Sequence, residues 1–412
     1  MVTKVLVRKP TSNPANSHWG YIEGYYWRLM NWEERTLLVE HLGRLGGDSY
    51  LYAPKEDPLH RREWRTPYGK KWLSQWSVFA AKAFQAGVQA IPGMAPGLSF
   101  DYLDPEDYQS LLRKLEVFRE AGSGLLALLM DDISPALPKN CRGKFRSLGE
   151  AHGKLLTRLL ADLNRNGKHC RLWFCPTVYT DQFAHGPNGK SGKPAQDPYL
   201  LDLAATMPAE VTVMWTGPGI ISENLPAAAI QPVAKLFKGN MVIWDNLYAN
   251  DYCPNKLFVG PYRGRPQGLW DWTRGLLLNP TGLPVTDMFL MTLLAACRAG
   301  EGPEKAWSQA LAAFAVPASF RKVARYLDSP FFHVGAGDLK PAKLEASRKA
   351  LHPLIWDWVS PLHREWATFL FMLDADLKVC LRGKAGPDSA WVRKRYTPVI
   401  AKRLLDSKGR AN

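Results

Sequence analysis

Short apolar runs alternate with amphipathic segments along the first two-thirds of the chain. Their spacing predicts eight strands, near residues 21–24, 49–53, 88–91, 125–130, 171–175, 211–215, 241–244 and 269–277. The eighth run is the least regular, because DWTRGLLLN mixes charge and glycine with leucine. Eight strand–helix alternations over roughly 280 residues predict an α/β chain folded as a (β/α)8 TIM barrel.

Two of the intervening helices have clear amino-terminal signals. Asn31 and Ser147 each precede an apolar-periodic run, and a glutamate follows each three residues later, at Glu34 and Glu150. This spacing predicts two capping boxes. Three of the helical segments end in glycine, which is typical of a helix carboxyl terminus.

The strand-like runs stop at about Gly302, and helical patterns follow. We therefore predict a barrel over residues 1–300 and a C-terminal α-helical domain over residues 301–412. A doubly wound open sheet is the main alternative, but its glycine-rich phosphate turn is missing after the first strand, where the chain reads IEGYYW. The sequence also has no GxSxG or P-loop motif and no paired histidines, so we predict no metal and no cofactor.

The net charge of +15 is unevenly distributed. From Lys378 onward, ten basic residues face only two acidic ones, so about half of the excess lies in this tail. Such a run is either a solvated face or a docking patch for a polyanion. The six cysteines form no CxxC pair, and no apolar stretch approaches a membrane span, so we expect a soluble cytoplasmic protein with reduced thiols.

Polar and aromatic residues follow the predicted strands. Loops at the carboxyl ends of barrel strands form the functional face, so these residues are expected to share one site. Each alone is better explained as a turn former, but together they are typical of a sugar-binding pocket. In chain order they are Gly24, Tyr25, Tyr26, Lys55, Asp131, Asp132, Thr177, Tyr179, Trp215, Thr216, Gly217, Trp244, Asp245, Asn246, Asp251 and Asn279.

Asp131 and Asp132 are the most distinctive of these residues. They follow the apolar run LLALLM, so one strand delivers two adjacent carboxylates to the functional face. Like charges raise the pKa of at least one member of such a pair, and a carboxyl that stays protonated near neutral pH is suited to general acid catalysis. The alternative is a solvated turn with no chemistry.

Several blocks of the chain occur in the order and spacing of a known family. IEGYYWRLMNWEER, YLYAPKEDPLHRREWR, LALLMDDI, FCPTVY, WTGP, VIWDNLYANDY and GPYRGR together resemble the signature blocks of glycoside hydrolase family 84, the O-GlcNAcase and bacterial β-N-acetylglucosaminidase group. The resemblance extends from about residue 19 to residue 279. It implies a barrel enzyme that removes terminal β-linked N-acetylglucosamine with retention, the acetamido oxygen of the substrate acting as nucleophile.

The resemblance also implies roles for individual residues. Asp131 would orient the acetamido group, and Asp132 would protonate the glycosidic oxygen and later activate water. Tyr179 would hydrogen-bond the acetamido oxygen, and Trp244 would form one wall of the pocket for the acetamido methyl group. Tyr26 and Thr216 would line the same cavity. The ring hydroxyls would be bound by the other matched residues, which are Gly24, Lys55, Asn246, Asp251 and Asn279.

Two positions depart from the family pattern. The first block usually reads EGFYGRPW, so Trp27 stands where glycine is expected, and the loop after Asn279 lacks a second amide or acidic residue. Both changes lie near the predicted pocket rim and bear on the aglycone preference. They leave open an alternative function, a glycan-binding or scaffold protein that keeps the barrel with weakened catalysis.

Overall fold

The computed structural model describes residues 17–331 and 340–382, except residues 166, 168, 187, 188 and 191. Eight parallel strands form a closed barrel in which each strand pairs with the next and β8 pairs with β1. This confirms the predicted (β/α)8 fold. The strands are β1 (His18–Glu23), β2 (Ser49–Tyr52), β3 (Gln89–Met94), β4 (Leu125–Leu129), β5 (Arg171–Cys175), β6 (Thr212–Trp215), β7 (Met241–Asp245) and β8 (Gly275–Leu278).

Helices follow the strands and continue beyond the last one. They are α1 (Trp32–Arg44), α2 (Lys70–Gln85), α3 (Pro105–Glu120), α4 (Leu148–Asn164), α5 (Pro198–Thr206), α6 (Ala227–Leu236), α7 (Leu269–Trp272), α8 (Pro284–Arg298), α9 (Pro303–Ala313), α10 (Pro341–Trp356) and α11 (Pro361–Arg382). No helix in the described part of the chain combines the length and apolarity that crossing a membrane requires.

One predicted capping box is confirmed and the other is half right. At α1, the Glu34 N–H donates to Asn31 Oδ1 (2.9 Å) and the Asn31 N–H donates to Glu34 Oε2 (2.8 Å). At α4, Ser147 Oγ accepts from the Glu150 N–H (3.2 Å). The Glu150 carboxylate instead accepts the N–H of Arg146 at 2.6 Å, one residue earlier than a box requires.

The eighth strand begins later than the sequence predicted. Its first predicted residues form the short helix α7, whose end is tied by the Thr273 hydroxyl donating to the Leu269 carbonyl (2.9 Å). The strand itself starts at Gly275, where a Cβ would lie 1.8 Å from the carbonyl oxygen of His18 on β1. Glycine therefore allows the close approach of β8 to β1 that closes the barrel.

The barrel interior is filled by buried side chains from all eight strands and from the strand ends. Each fully buried aliphatic side chain contributes about 1.5–3 kcal/mol, so this layer is a major part of the stability of the barrel. Its members are Ile22, Leu51, Ala53, Ile91, Ala95, Leu125, Ala127, Leu129, Trp173, Cys175, Tyr179, Met214, Val242, Trp244 and Leu277. Tyr179 and Trp244 belong to this layer, so the core itself positions two of the predicted site residues.

The chain forms two compact units. One contains the eight strands and extends to Asn246, with Gly264–Asn279 added; the other contains Leu247–Arg263 and the chain from Pro280 onward. In this second unit, the Val259 N–H donates to the Leu327 carbonyl (2.8 Å). The C-terminal helices α9 to α11 belong to it, and the predicted domain boundary after residue 300 stays a prediction. Of the basic tail, everything beyond Arg382 lies outside the described residues.

Candidate active site

The predicted site residues of the barrel unit all lie at or just after the carboxyl ends of strands. Gly24 follows β1 directly, Asp131 and Asp132 follow β4, and Asn279 follows β8. Lys55, Tyr179, Thr216, Trp244 and Asn246 occupy the equivalent positions of β2, β5, β6 and β7. Asp251 is the exception, because it belongs to the second unit, where its carboxylate accepts the Tyr252 N–H (2.9 Å); its place in the site stays a prediction.

Asp131 is a buried carboxylate among cations. Its side chain is ion-paired with Lys55, and Arg61 adds a second positive charge nearby. Burial acts to raise the pKa of Asp131, but the charges of Lys55 and Arg61 outweigh it and hold the pKa below its usual value. The pKa of Asp131 is therefore lowered although a second carboxylate is adjacent in sequence, because the structure supplies cations that the local sequence does not reveal.

Asp132 lies in different surroundings, although it is the next residue. Its backbone adopts φ +54°, in the left-handed region that aspartate tolerates better than most residues, and its side chain is exposed. The Tyr26 hydroxyl donates to Oδ2 (2.6 Å) and the Tyr179 hydroxyl donates to Oδ1 (2.8 Å). Burial and the charge of Asp132 raise the pKa of both phenols, so they remain hydrogen-bond donors.

An amide network joins the ends of β7, β8 and β1. The Gly24 N–H donates to Asn279 Oδ1 (3.1 Å), Asn279 Nδ2 donates to Asn246 Oδ1 (2.8 Å), and the Trp244 indole donates to the same oxygen (2.8 Å). A Cβ at Gly24 would lie 2.4 Å from the Trp244 ring. Glycine is thus required at position 24 for space rather than for its dihedral angles, and four predicted residues form one rigid group.

Thr216 has a structural part in the site. Its hydroxyl donates to the Gly219 carbonyl (2.8 Å), and its N–H donates to the Tyr179 carbonyl (2.9 Å). These bonds hold the loop after β5 against the end of β6. Thr216 therefore helps to fix the backbone of Tyr179.

Two arginines that support the site, Arg61 and Arg265, were not predicted from the sequence. Arg265 forms a buried bidentate ion pair with Asp245 (2.6 and 2.8 Å) and also donates to the carbonyl of Ser222 (2.9 Å). This pair clamps the end of β7 beside Trp244. Arg61 and Arg265 both occur in the quoted blocks, as HRREWR and GPYRGR, so the signal was present but no local pattern assigned it.

A chain of hydrogen bonds from α4 supports the backbone at the end of β4. Buried His152 bridges the Tyr102 hydroxyl (2.6 Å from Nε2) and the Tyr199 hydroxyl (2.8 Å from Nδ1), and burial lowers the pKa of His152 to about 3. The Tyr199 oxygen accepts the Thr177 N–H (3.0 Å), and the Thr177 hydroxyl donates to the Met130 carbonyl (2.7 Å). The neutral imidazole thus connects α4 to the residue that precedes Asp131.

Known proteins resemble this chain in sequence and in fold. The profile of the β-N-acetylglucosaminidase family matches residues 19–327. The chain is 34% identical to the mouse (Mus musculus) Protein O-GlcNAcase over 261 residues, which is 63% of this chain and 28% of that protein. It is 33% identical to the rat (Rattus norvegicus) protein over the same shares. The chain thus spans little more than a quarter of the length of these curated relatives.

A solved structure has a similar fold. It is that of a mutant of the Thermobaculum terrenum O-GlcNAc hydrolase, with a TM-score of 0.76 and 22% sequence identity, covering 94% of this chain and 87% of that chain. At this identity the likeness shows the fold alone. The family match covers well over half of the sequence and agrees with the signature blocks, and the chain therefore belongs to the β-N-acetylglucosaminidase family of glycoside hydrolases.

Proposed function

We propose that this protein is a retaining exo-β-N-acetylglucosaminidase of the O-GlcNAcase type. It would hydrolyse terminal β-linked N-acetylglucosamine by substrate-assisted catalysis through an oxazoline intermediate. The observation that carries the proposal is the contrast between Asp131, buried and paired with Lys55, and Asp132, exposed and held by two tyrosine hydroxyls. One carboxylate is suited to a fixed charge and the other to proton transfer.

In the first step, the acetamido carbonyl oxygen attacks C1 while the bond from C1 to the glycosidic oxygen breaks. Asp132 gives its proton to the departing oxygen. Among the described residues, Asp131 Oδ1 is buried and has no hydrogen-bond partner, so it is available to accept the acetamido N–H and to stabilise the positive charge that develops there. On substrate binding, the Tyr179 hydroxyl would turn from Asp132 Oδ1 to the acetamido oxygen, which leaves that carboxyl oxygen free to carry the proton.

In the second step, water attacks C1 and Asp132 takes its proton. The bond from C1 to the acetamido oxygen breaks, which restores the acetamide and gives a product with retained configuration. Holding the nucleophile within the substrate removes the need for an enzyme carboxylate at C1. The adjacent aspartates therefore divide the work, Asp131 orienting the nucleophile and Asp132 moving the proton.

The remaining site residues would bind the sugar ring. The amide network of Gly24, Asn246 and Asn279 presents polar groups next to Trp244, whose ring would wall the methyl pocket. Lys55, Tyr26 and Thr216 would complete the pocket, and Asp251 is proposed to reach a ring hydroxyl. A pocket that contacted every hydroxyl in this way would act on a terminal sugar.

The direct test is release of the aryl alcohol from an aryl β-N-acetylglucosaminide. Wild-type protein should turn it over, and Asp131→Asn should lower kcat/KM by at least about a hundredfold, the lower end of what a positioned acid–base or charged group contributes. Product analysis by NMR should show β-N-acetylglucosamine first. Sugar binding by calorimetry without hydrolysis would instead favour the scaffold alternative.

Three broader features of the protein remain proposals. The six cysteines are all free thiols, which suits a cytoplasmic location. The barrel over residues 1–300 is proposed as the catalytic domain and residues 301–412 as a helical domain.

The basic tail is proposed to contact polyanions. Truncation after Leu377 should then flatten the salt dependence of heparin binding, and an unchanged slope would contradict this contact.

A further inference from the structure

Trp27 has an unusual backbone and an unusual exposure. Its φ is +68°, in the left-handed region that a bulky aromatic residue rarely adopts, and its side chain is 72% exposed. Its N–H donates to Glu56 Oε1 (3.1 Å), which helps to hold the turn. Packing within the protein therefore does not account for an indole at this position, where the family block has glycine.

The position of Trp27 connects it to the catalytic pair. The neighbouring Tyr26 donates its hydroxyl to Asp132, and the Tyr26 and Trp27 rings lie 6.1 Å apart between centroids, tilted by 45°. Leu29 is 51% exposed two residues further on. The Tyr26 and Trp27 rings therefore form an aromatic surface that extends from beside Asp132 toward solvent.

The proton donor defines the side of the site that receives the leaving group. Asp132 must reach the glycosidic oxygen, so the first unit of the aglycone lies beyond Asp132 and beside the Tyr26–Trp27 surface. A pyranose ring in a β-linked glycan presents a flat face of C–H groups, which packs well on an aromatic ring. A glycosylated serine or threonine in a peptide has no such face next to the glycosidic oxygen.

We propose that Trp27 is a specificity-determining residue that stacks on the first sugar of a glycan aglycone. The preferred substrates would then be β-linked oligosaccharides that end in N-acetylglucosamine, with a pyranose as the leaving group. This inference rests on the proposed hydrolase function and concerns only the leaving-group side of the same site. Trp27 contacts no atom that changes bonding.

The test compares a disaccharide, N,N′-diacetylchitobiose, with methyl β-N-acetylglucosaminide, whose aglycone is too small to stack. In Trp27→Gly, kcat/KM for the disaccharide should fall about tenfold, equivalent to about 1.4 kcal/mol, mainly through KM, while the methyl glycoside is unaffected. Glycine also relieves the left-handed backbone, so thermal stability should not fall. Trp27→Phe, which keeps an aromatic face, should retain part of the preference.

Trp356→Ala is the matched control, because it removes another largely exposed tryptophan, in the second unit. Equal losses for both substrates in Trp27→Gly, or an unchanged disaccharide value, would overturn the stacking role. A larger loss on an O-GlcNAc peptide than on the disaccharide would also overturn it, in favour of a peptide aglycone. If wild-type protein hydrolysed neither substrate, the proposed function itself would fail.

Discussion

The inner and outer regions of the site differ, although one peptide bond joins them. The inner region, around Asp131, is buried and contains the cations Lys55 and Arg61. The outer region, around Asp132, is exposed and contains the phenol hydroxyls of Tyr26 and Tyr179. Two identical residues therefore have different surroundings, and the proposed mechanism assigns them different chemical roles for that reason.

The left-handed turn at Asp132 produces this separation. In an extended strand, neighbouring side chains already point to opposite faces, and φ +54° turns the chain out of the strand direction after Asp131. Asp131 thus stays among the barrel cations, while Asp132 meets tyrosines from the ends of β1 and β5. Strained backbone of this kind is common where function requires a particular side-chain direction.

The dependence of activity on the leaving group should show the largest effect and should distinguish the two regions most clearly. Asp132→Ala should lose about 10²- to 10⁴-fold in kcat on methyl β-N-acetylglucosaminide, because alkoxide departure needs a proton. On the 2,4-dinitrophenyl glycoside the first-step loss should be small, since this leaving group departs without one. Asp131→Asn should lose activity on both substrates, because the acetamido nucleophile must be oriented whichever leaving group departs.

Steady-state and burst kinetics with the two glycosides measure this contrast. Asp181→Asn, a nearby loop carboxylate outside the proposed roles, serves as the control. Similar leaving-group profiles for the Asp132 and Asp131 variants would show that the two regions do not divide the reaction as proposed.

The acid limb of the pH profile should depend on the inner region. Arg61→Met removes one of the charges that lower the pKa of Asp131, so burial raises that pKa. The proposed reaction needs ionised Asp131 and would be lost as the pH falls through the pKa of Asp131, so the acid limb of kcat/KM should move to higher pH. The stability contributed by ionised Asp131 should likewise be lost at higher pH than in wild type.

Arg62→Met is the matched control, because Arg62 is the exposed neighbour of buried Arg61. Its pH profile should coincide with that of wild type. An acid limb that stays in place in Arg61→Met, or moves equally in both variants, would contradict the electrostatic part assigned to the inner region.

The smallest effect concerns the hydrogen-bond chain through His152 and Tyr199, which holds the backbone before Asp131. Tyr199→Phe leaves the Thr177 N–H without its acceptor, which should cost about 1–3 kcal/mol of unfolding free energy. Loss of this support should lower kcat by on the order of tenfold with little change in KM, because the backbone before Asp131 is less firmly held. Chemical denaturation and steady-state kinetics measure the two effects.

Tyr102→Phe removes the hydroxyl at the opposite end of the same chain of bonds, next to His152. It should destabilise the fold less and leave kcat close to wild type. Equal kinetic effects for the two phenylalanine variants would show that the chain stabilises the barrel without positioning the carboxylates.

Local patterns were sufficient for most of the fold. Strand periodicity predicted the barrel, and the strand ends predicted the placement of Gly24, Asp131 and Asn279, since parallel strands bring their carboxyl ends to one face. The prediction for β8 was wrong at its start, because a helical turn at 269–272 shares the same apolar composition. The second capping box was incomplete because the Arg146 backbone competes for Glu150.

The sequence by itself determined the fold, the family and the adjacency of the two carboxylates, because these depend on periodicity and on motifs within short segments. Only the tertiary structure decided the surroundings of each carboxylate. Lys55 meets Asp131 across 76 residues, and the Gly24 N–H meets Asn279 across 255. Electrostatic environment and hydrogen bonding depend on such long-range contacts. The direction of the Asp131 pKa shift therefore could not be predicted from the sequence alone.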